Sequence, residues 1–247
     1  MKDCKVIVVC GNPIRDVRPK GSCQFHHHPQ TIQTVEDLYG LWEVILEIET
    51  TVDGGVPFDT IIMCNGSEAF EWWKEYDGTP TKNGTLRVIE RRNHGGSFAG
   101  YDHAYRHLDY NGYLFTEEDI LVFGPEYYKQ FKERYHEQPG FVCAVGISRG
   151  KRFERHCHGG VGYTERKVLD AVADEHGRLP YPHRKGWHRG TTILQGEIPF
   201  TSRVTKCGYE LLELHGHISD WVTTNQCMPS ALFSHSMLDF TKKGGDL

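Results

Sequence analysis

Tyr113–Val122 reads YLFTEEDILV: a short apolar run, three adjacent acids, then a second apolar run. Glu117, Glu118 and Asp119 repel one another and are costly to desolvate at the end of a buried strand. A divalent cation there offsets the repulsion. Hard oxygen ligands suit Mg²⁺ or Mn²⁺ that also touches a phosphate. The plain alternative is a solvated strand end, since acidic loops are common.

Similar apolar runs lie on both sides of this stretch. Lys5–Cys10 (KVIVVC) and Thr60–Met63 read as buried strands, and Leu86–Glu90 and Phe141–Ile147 as two more. Between them, Leu38, Leu41, Trp42, Ile45 and Ile48 give one helix an apolar face, with Thr34 as its cap and Asp37 in its first turn. Phe98, Tyr101, Tyr105 and Leu108 have helical spacing, and Glu126–Tyr135 is a further helix. Alternating strands and helices predict an α/β domain with a mostly parallel, Rossmann-like central sheet flanked by helices. Residues 1–247 contain no repeat and no clean linker, which predicts a single domain, with 221–247 as a C-terminal tail or lid. The Pro-, Gly- and His-rich stretch Gly11–Gln33 reads as a long loop.

The composition, 38% apolar and 25% charged, suits a globular chain, and the net charge of −5 carries no nucleic-acid signature. Val6–Cys10 is too short for a signal-peptide core or a transmembrane segment. Eight cysteines without framework spacing read as reduced thiols, which points to a cytoplasmic protein.

In open parallel sheets, ligands bind beyond the carboxyl ends of the strands. Four features lie at such ends: the Cys10-Gly11-Asn12-Pro13 turn, the Asn65-Gly66-Ser67 turn, Arg91–Ser97 and the acid cluster. Arg91–Gly100 (RRNHGGSFAG) offers two guanidinium groups, a glycine pair that permits close backbone approach, and Ser97 at a helix N-terminus. Free amides at a helix start favour a diphosphate.

Taken in order, these segments resemble the family 2-like nucleotide-sugar glycosyltransferases with the GT-A fold, through anchor points from about Lys5 to about Asp220. The resemblance implies that Cys10 and Asn12 line a nucleobase pocket. It implies that Asn65 touches the base, although Cys64 stands where the family usually has an Asp. Arg91, Arg92, Asn93, Gly96 and Ser97 would bind the donor diphosphate. Asp119, in the position of the family's Asp-x-Asp motif, would hold the metal, with Glu117 as a second ligand or a contact to the ribose. Cys157–Leu169 resembles the family's glycine-rich segment, so Gly159 and Gly160 would approach a sugar. In Gln195–Tyr209, matching Arg203 and Gly208-Tyr209 places Glu197 as the catalytic base, with Gly196 in place of the usual preceding Glu. His217, with His215 as a competing choice, falls near a metal-binding His of some members.

The resemblance therefore implies an inverting, metal-dependent transferase. It would move a sugar from a nucleotide-diphosphate donor to a hydroxyl of a glycan, a lipid-linked sugar or a protein, with Mn²⁺ or Mg²⁺ as cofactor. The departures at Cys64, Glu117 and Gly196 favour an alternative, a non-catalytic nucleotide-sugar-binding protein. A nucleotidyltransferase on a similar sheet is a third reading, but the chain lacks its tight glycine signature after the first strand. A structural zinc site at Cys4, Cys10, Cys23 and His26–His28 is a fourth. The triplet His156-Cys157-His158 also invites zinc, although neighbouring side chains on extended chain point to opposite faces. Trp72, Trp73 and Tyr76 form either a carbohydrate platform or helix packing.

Overall fold

The computed structural model describes residues 2–9, 35–118, 120–122, 124–144, 147–148, 156–157, 160–174, 176–182, 193–214 and 233–235. Strands are β1 (Asp3–Val9), β2 (Phe58–Asn65), β3 (Leu86–Arg91), β4 (Gly112–Glu117), β5 (Ile120–Val122), β6 (Gly140–Cys143), β7 (Ile147–Ser148), β8 (His156–Cys157), β9 (Gly162–Glu165), β10 (Glu210–Glu213) and β11 (Phe233–His235). Helices are α1 (Val35–Thr51), α2 (Ser67–Trp73), α3 (Gly96–His107), α4 (Tyr127–Glu137), α5 (Arg166–Ala173) and α6 (Ile198–Lys206).

Seven strands form one sheet in the order β3-β2-β1-β4-β9-β6-β10. β9 runs antiparallel to both of its neighbours, and the other pairs are parallel. The domain is α/β with a mostly parallel sheet flanked by helices. The expected fifth strand is two: β6 stays in the main sheet, while β7 pairs with β8 in a separate ribbon.

β1 is buried along its whole length, and so is β2. A central parallel strand is covered on both faces and reads as continuous apolar sequence. Its side chains still alternate. Ile7, Val9, Ile62, Cys64 and Leu86 pack with Leu38, Leu41, Trp42, Ile45, Ala69 and Trp73 of α1 and α2. Cys4, Val6, Val8, Ile61 and Met63 face Phe98, Tyr101 and Ala104 of α3 and Tyr127, Tyr128, Phe131 and Tyr135 of α4.

Lys5, like Asp3, is a buried polar residue of β1. It is buried against Glu49 of α1, whose other carboxylate oxygen accepts a 2.7 Å hydrogen bond from Thr60 Oγ1. Trp72, Trp73 and Tyr76 pack with Tyr39 and Trp42 as one aromatic cluster, which is the packing role. The tail returns as β11, antiparallel to β5, with His235 opposite Ile120. No helix among the described residues is long and apolar enough to cross a membrane.

Candidate functional site

The parallel register brings the expected strand ends to one rim. Val8 lies beside Glu117, Val9 beside Cys64, and Asn65 beside Arg91. β1 leads through α1 to β2 on one side, whereas β4 arrives through α3 on the other. Such a reversal opens a crevice at the carboxyl ends of β1 and β4, where Glu117 stands. β9 enters the same rim from the opposite direction. Phe115 pairs with Gly162, and two residues beyond that pair lie Glu117 on β4 and Gly160 before β9.

Asn65 is buried and accepts a hydrogen bond from Arg91 Nη1, while Arg91 Nη2 donates to the His94 carbonyl at 2.8 Å. The Arg91 guanidinium therefore closes the turn between β3 and α3. Arg92 and Asn93 are exposed beyond it. Gly95 (φ 78°) and Gly96 (φ 60°) make the left-handed entry to α3, a conformation that favours glycine. Gly95 caps the helix, and Ser97 lies inside its first turn. On α3, burial together with the charges of His107, Arg91 and Arg106 lowers the His103 pKa to about 4. Burial is the larger cause, and the neighbouring positive charges add to it.

Cys64 occupies the β2 position beside this rim. Burial, with the nearby charges of Glu118 and Glu90, raises its thiol far above the ordinary range. It is a neutral thiol and a poor nucleophile. Glu118 is not simply solvated. Its carboxylate accepts a 2.8 Å hydrogen bond from the Trp42 indole, and its amide donates to the Val8 carbonyl at 3.2 Å. Glu118 is thereby pinned to α1, and Glu117 is half-buried at the strand end.

Glu197 ends the π-helical turn Ile193–Glu197 and sits at the N-cap of α6. It is only 4% exposed. Its Oε1 lies 3.1 Å from Nε2 of His156, also buried. The preceding Gly196 explains the missing acid at that position. A Cβ there would meet the Phe98 ring at 2.7 Å, and one on Gly160 (φ 62°) would meet the same ring at 2.5 Å. Phe98 belongs to the first turn of α3, so this ring ties Gly160 and the Gly196–Glu197 segment to the helix that starts beyond Arg91.

The structure thus brings together Asn65, Arg91, Gly96, Ser97, Glu117, Gly160 and Glu197. Cys10, Asn12, Asp119, Gly159, His215 and His217 lie outside the described residues, although Cys10 directly follows β1 and Asp119 sits between Glu118 and β5. Of the zinc candidates, Cys4 is buried in β1, and Cys23 and His26–His28 are likewise outside. Among the described residues no three His, Cys, Asp or Glu side chains are grouped to hold a metal. The donor set at the strand end, Glu117 with Asp119, nevertheless fits a hard divalent ion in kind. The sequence reading missed the Trp42–Glu118 bond, the His156–Glu197 pair and the role of Phe98. Only the glycines at 160 and 196 signalled any of these.

No family model and no curated protein sequence matches the chain. Solved structures similar in fold include S. aureus TarS, with 11% identity and a TM-score of 0.47 over 87% of this chain and 35% of that one. A TarS 1–349 structure in complex with UDP-GlcNAc gives 12% identity and 0.47, over 87% and 56%. A Bacillus anthracis protein assigned as a glucose-1-phosphate thymidylyltransferase, in complex with a sucrose, gives 11% and 0.42, over 85% of both chains. The chain spans about a third to under three-fifths of the TarS chains. Likeness at this level carries no argument about activity.

Proposed function

We propose that the chain is an inverting glycosyltransferase. It would use a nucleotide-diphosphate sugar as donor and a hydroxyl of a glycan, a lipid-linked sugar or a protein as acceptor. The single observation that supports this reading most is the parallel register, which gathers Asn65, Arg91 and Glu117 at one rim. Asn65 would meet the nucleobase together with Cys10 and Asn12. Arg91, Arg92, Asn93 and the amides of Gly96 and Ser97 would hold the diphosphate, as helix N-termini and guanidinium groups do. Gly160 and Gly159 would allow the sugar to approach the backbone.

Glu197 would act as general base. The acceptor oxygen forms a bond to the anomeric carbon as the bond from that carbon to the phosphate oxygen breaks. The hydroxyl proton passes to the Glu197 carboxylate, and the nucleoside diphosphate leaves with the bonding electron pair. Attack opposite the leaving group inverts the anomeric centre. Glu117 and Asp119, with His217, would hold Mn²⁺ or Mg²⁺, which when bound neutralises charge on the diphosphate.

Gly196 favours a second reading, a nucleotide-sugar-binding protein without turnover. The Phe98 ring fills the space that an acidic side chain would need there. Turnover of Glu197→Gln at saturating donor and Mn²⁺ separates the two. Loss of a general base is expected to lower kcat by about 10²–10⁴-fold. Near-normal transfer would overturn the assignment, and wild-type binding without turnover would favour the binder.

A further inference from the structure

The candidate base Glu197 has a buried ionisable neighbour, His156, that has no role so far. His156 on β8 and Glu197 at the start of α6 have side chains 6% and 5% exposed, with Nε2 and Oε1 3.1 Å apart. A second connection fixes their relative position. Thr201 Oγ1 donates to the Glu197 carbonyl at 2.7 Å and accepts from the Cys157 amide at 3.3 Å. The residue after His156 is therefore tied through Thr201 to the backbone of Glu197. Glu197 itself closes a π turn, a feature frequent at functional sites.

A buried ionisable pair is a poor device for stability alone. Its desolvation offsets much of its attraction, and an apolar pair of similar volume often serves as well. What such a pair does supply is orientation. An imidazole nitrogen 3.1 Å from Oε1 is placed to set the orientation of this carboxylate.

We propose that His156 is the positioning residue for Glu197: its Nε2 holds Oε1 so that Oε2 takes the acceptor proton. The proposal rests on the reading of Glu197 as general base. His156 itself touches neither donor nor acceptor in this scheme.

The test compares His156→Gln, His156→Asn and His156→Leu with Glu197→Gln, reading kcat, donor KM and Tm on the full chain with Mn²⁺. The Gln carboxamide nitrogen falls where Nε2 stands, whereas the Asn nitrogen falls nearer Nδ1. His156→Gln is therefore expected to stay well above the other two. His156→Asn and His156→Leu are expected to lose about a hundredfold in kcat, the order of loss from a misplaced catalytic group, with donor KM unchanged. A purely structural pair predicts otherwise: Tm falls in all three while kcat of the folded fraction is kept. That result, or equal kcat for the Gln and Asn variants, overturns the proposal. Near-normal kcat for Glu197→Gln sinks the base assignment on which it rests. Loss of kcat in Glu197→Gln but not in His156→Leu sinks this inference alone. A wild-type chain inert with every donor sinks both.

Discussion

Replacing Gly196 by alanine sets a new methyl against the Phe98 ring, 2.7 Å from Cδ2 and 2.8 Å from Cγ. Both distances are well inside van der Waals contact, and the ring is also held by Phe200 at 6.0 Å and Tyr101 at 5.4 Å between centroids. It has little room to move, so Gly196→Ala is expected to cost about 1–3 kcal/mol, as overpacking does. Gly160→Ala carries the same kind of overlap, at 2.5 Å, plus a left-handed φ of 62°. That backbone costs a non-glycine residue about 1–2 kcal/mol, so the total is about 2–5 kcal/mol. Phe98→Ala alone should cost about 3–5 kcal/mol. In the Phe98→Ala background the two glycines should separate. Gly196→Ala should become nearly neutral, within about 0.5 kcal/mol. Gly160→Ala should keep about 1–2 kcal/mol, because removing the ring does not relieve its φ. Urea unfolding of the four single and double variants, with Phe98→Ala as reference, measures the coupling. Equal cost of Gly196→Ala in both backgrounds would refute the idea that this ring excludes a side chain at position 196.

Glu49→Gln should destabilise by about 3–5 kcal/mol, since it leaves Lys5 buried without its carboxylate, and Lys5→Met with Glu49→Leu should recover most of that loss in urea unfolding. Trp42→Phe removes the indole donor to Glu118 and should cost about 1–3 kcal/mol, whereas unchanged stability would show that the bond does not anchor the acid cluster. His103 should make the fold acid-sensitive. Its folded pKa lies near about 4, below the unfolded value of 6.5, so the stability it contributes is present above pH 6.5 and is lost as the pH falls towards 4. The group is only half-buried, so the loss should be about 1–2 kcal/mol after allowance for screening. His103→Asn should flatten that part of the stability–pH curve.

The sheet was legible because its central strands are covered on both faces. KVIVVC and TIIM carry the β-branched runs that such strands require, and α1 showed its inward face through Leu38, Leu41, Trp42 and Ile45. The rim followed from parallel order alone. Less legible were the short pieces. GYTE at β9 is too brief to show a direction, and HC at β8 too brief to show a strand at all. The contacts that shape the site join residues distant in sequence, Trp42 with Glu118 and His156 with Glu197. No local spacing announces such pairs. Gly196 looked like a lost acid and is better explained as room for Phe98. Within the acid cluster, Glu118 is committed to Trp42, a bond that no local pattern announces, and Glu117 stands half-buried at the strand end beside Val8.

The claim that a nucleotide-diphosphate sugar binds at this rim is tested most directly by thermal unfolding. The screen uses a panel of nucleoside diphosphates and nucleotide sugars, with and without Mn²⁺. A ligand at about a hundred times its Kd stabilises by about 2.7 kcal/mol, a rise in Tm of about 5–10 °C for a chain of this size. The account predicts such a rise for at least one nucleotide sugar, larger with Mn²⁺ and reduced by Asp119→Asn. A flat response across the whole panel would contradict it.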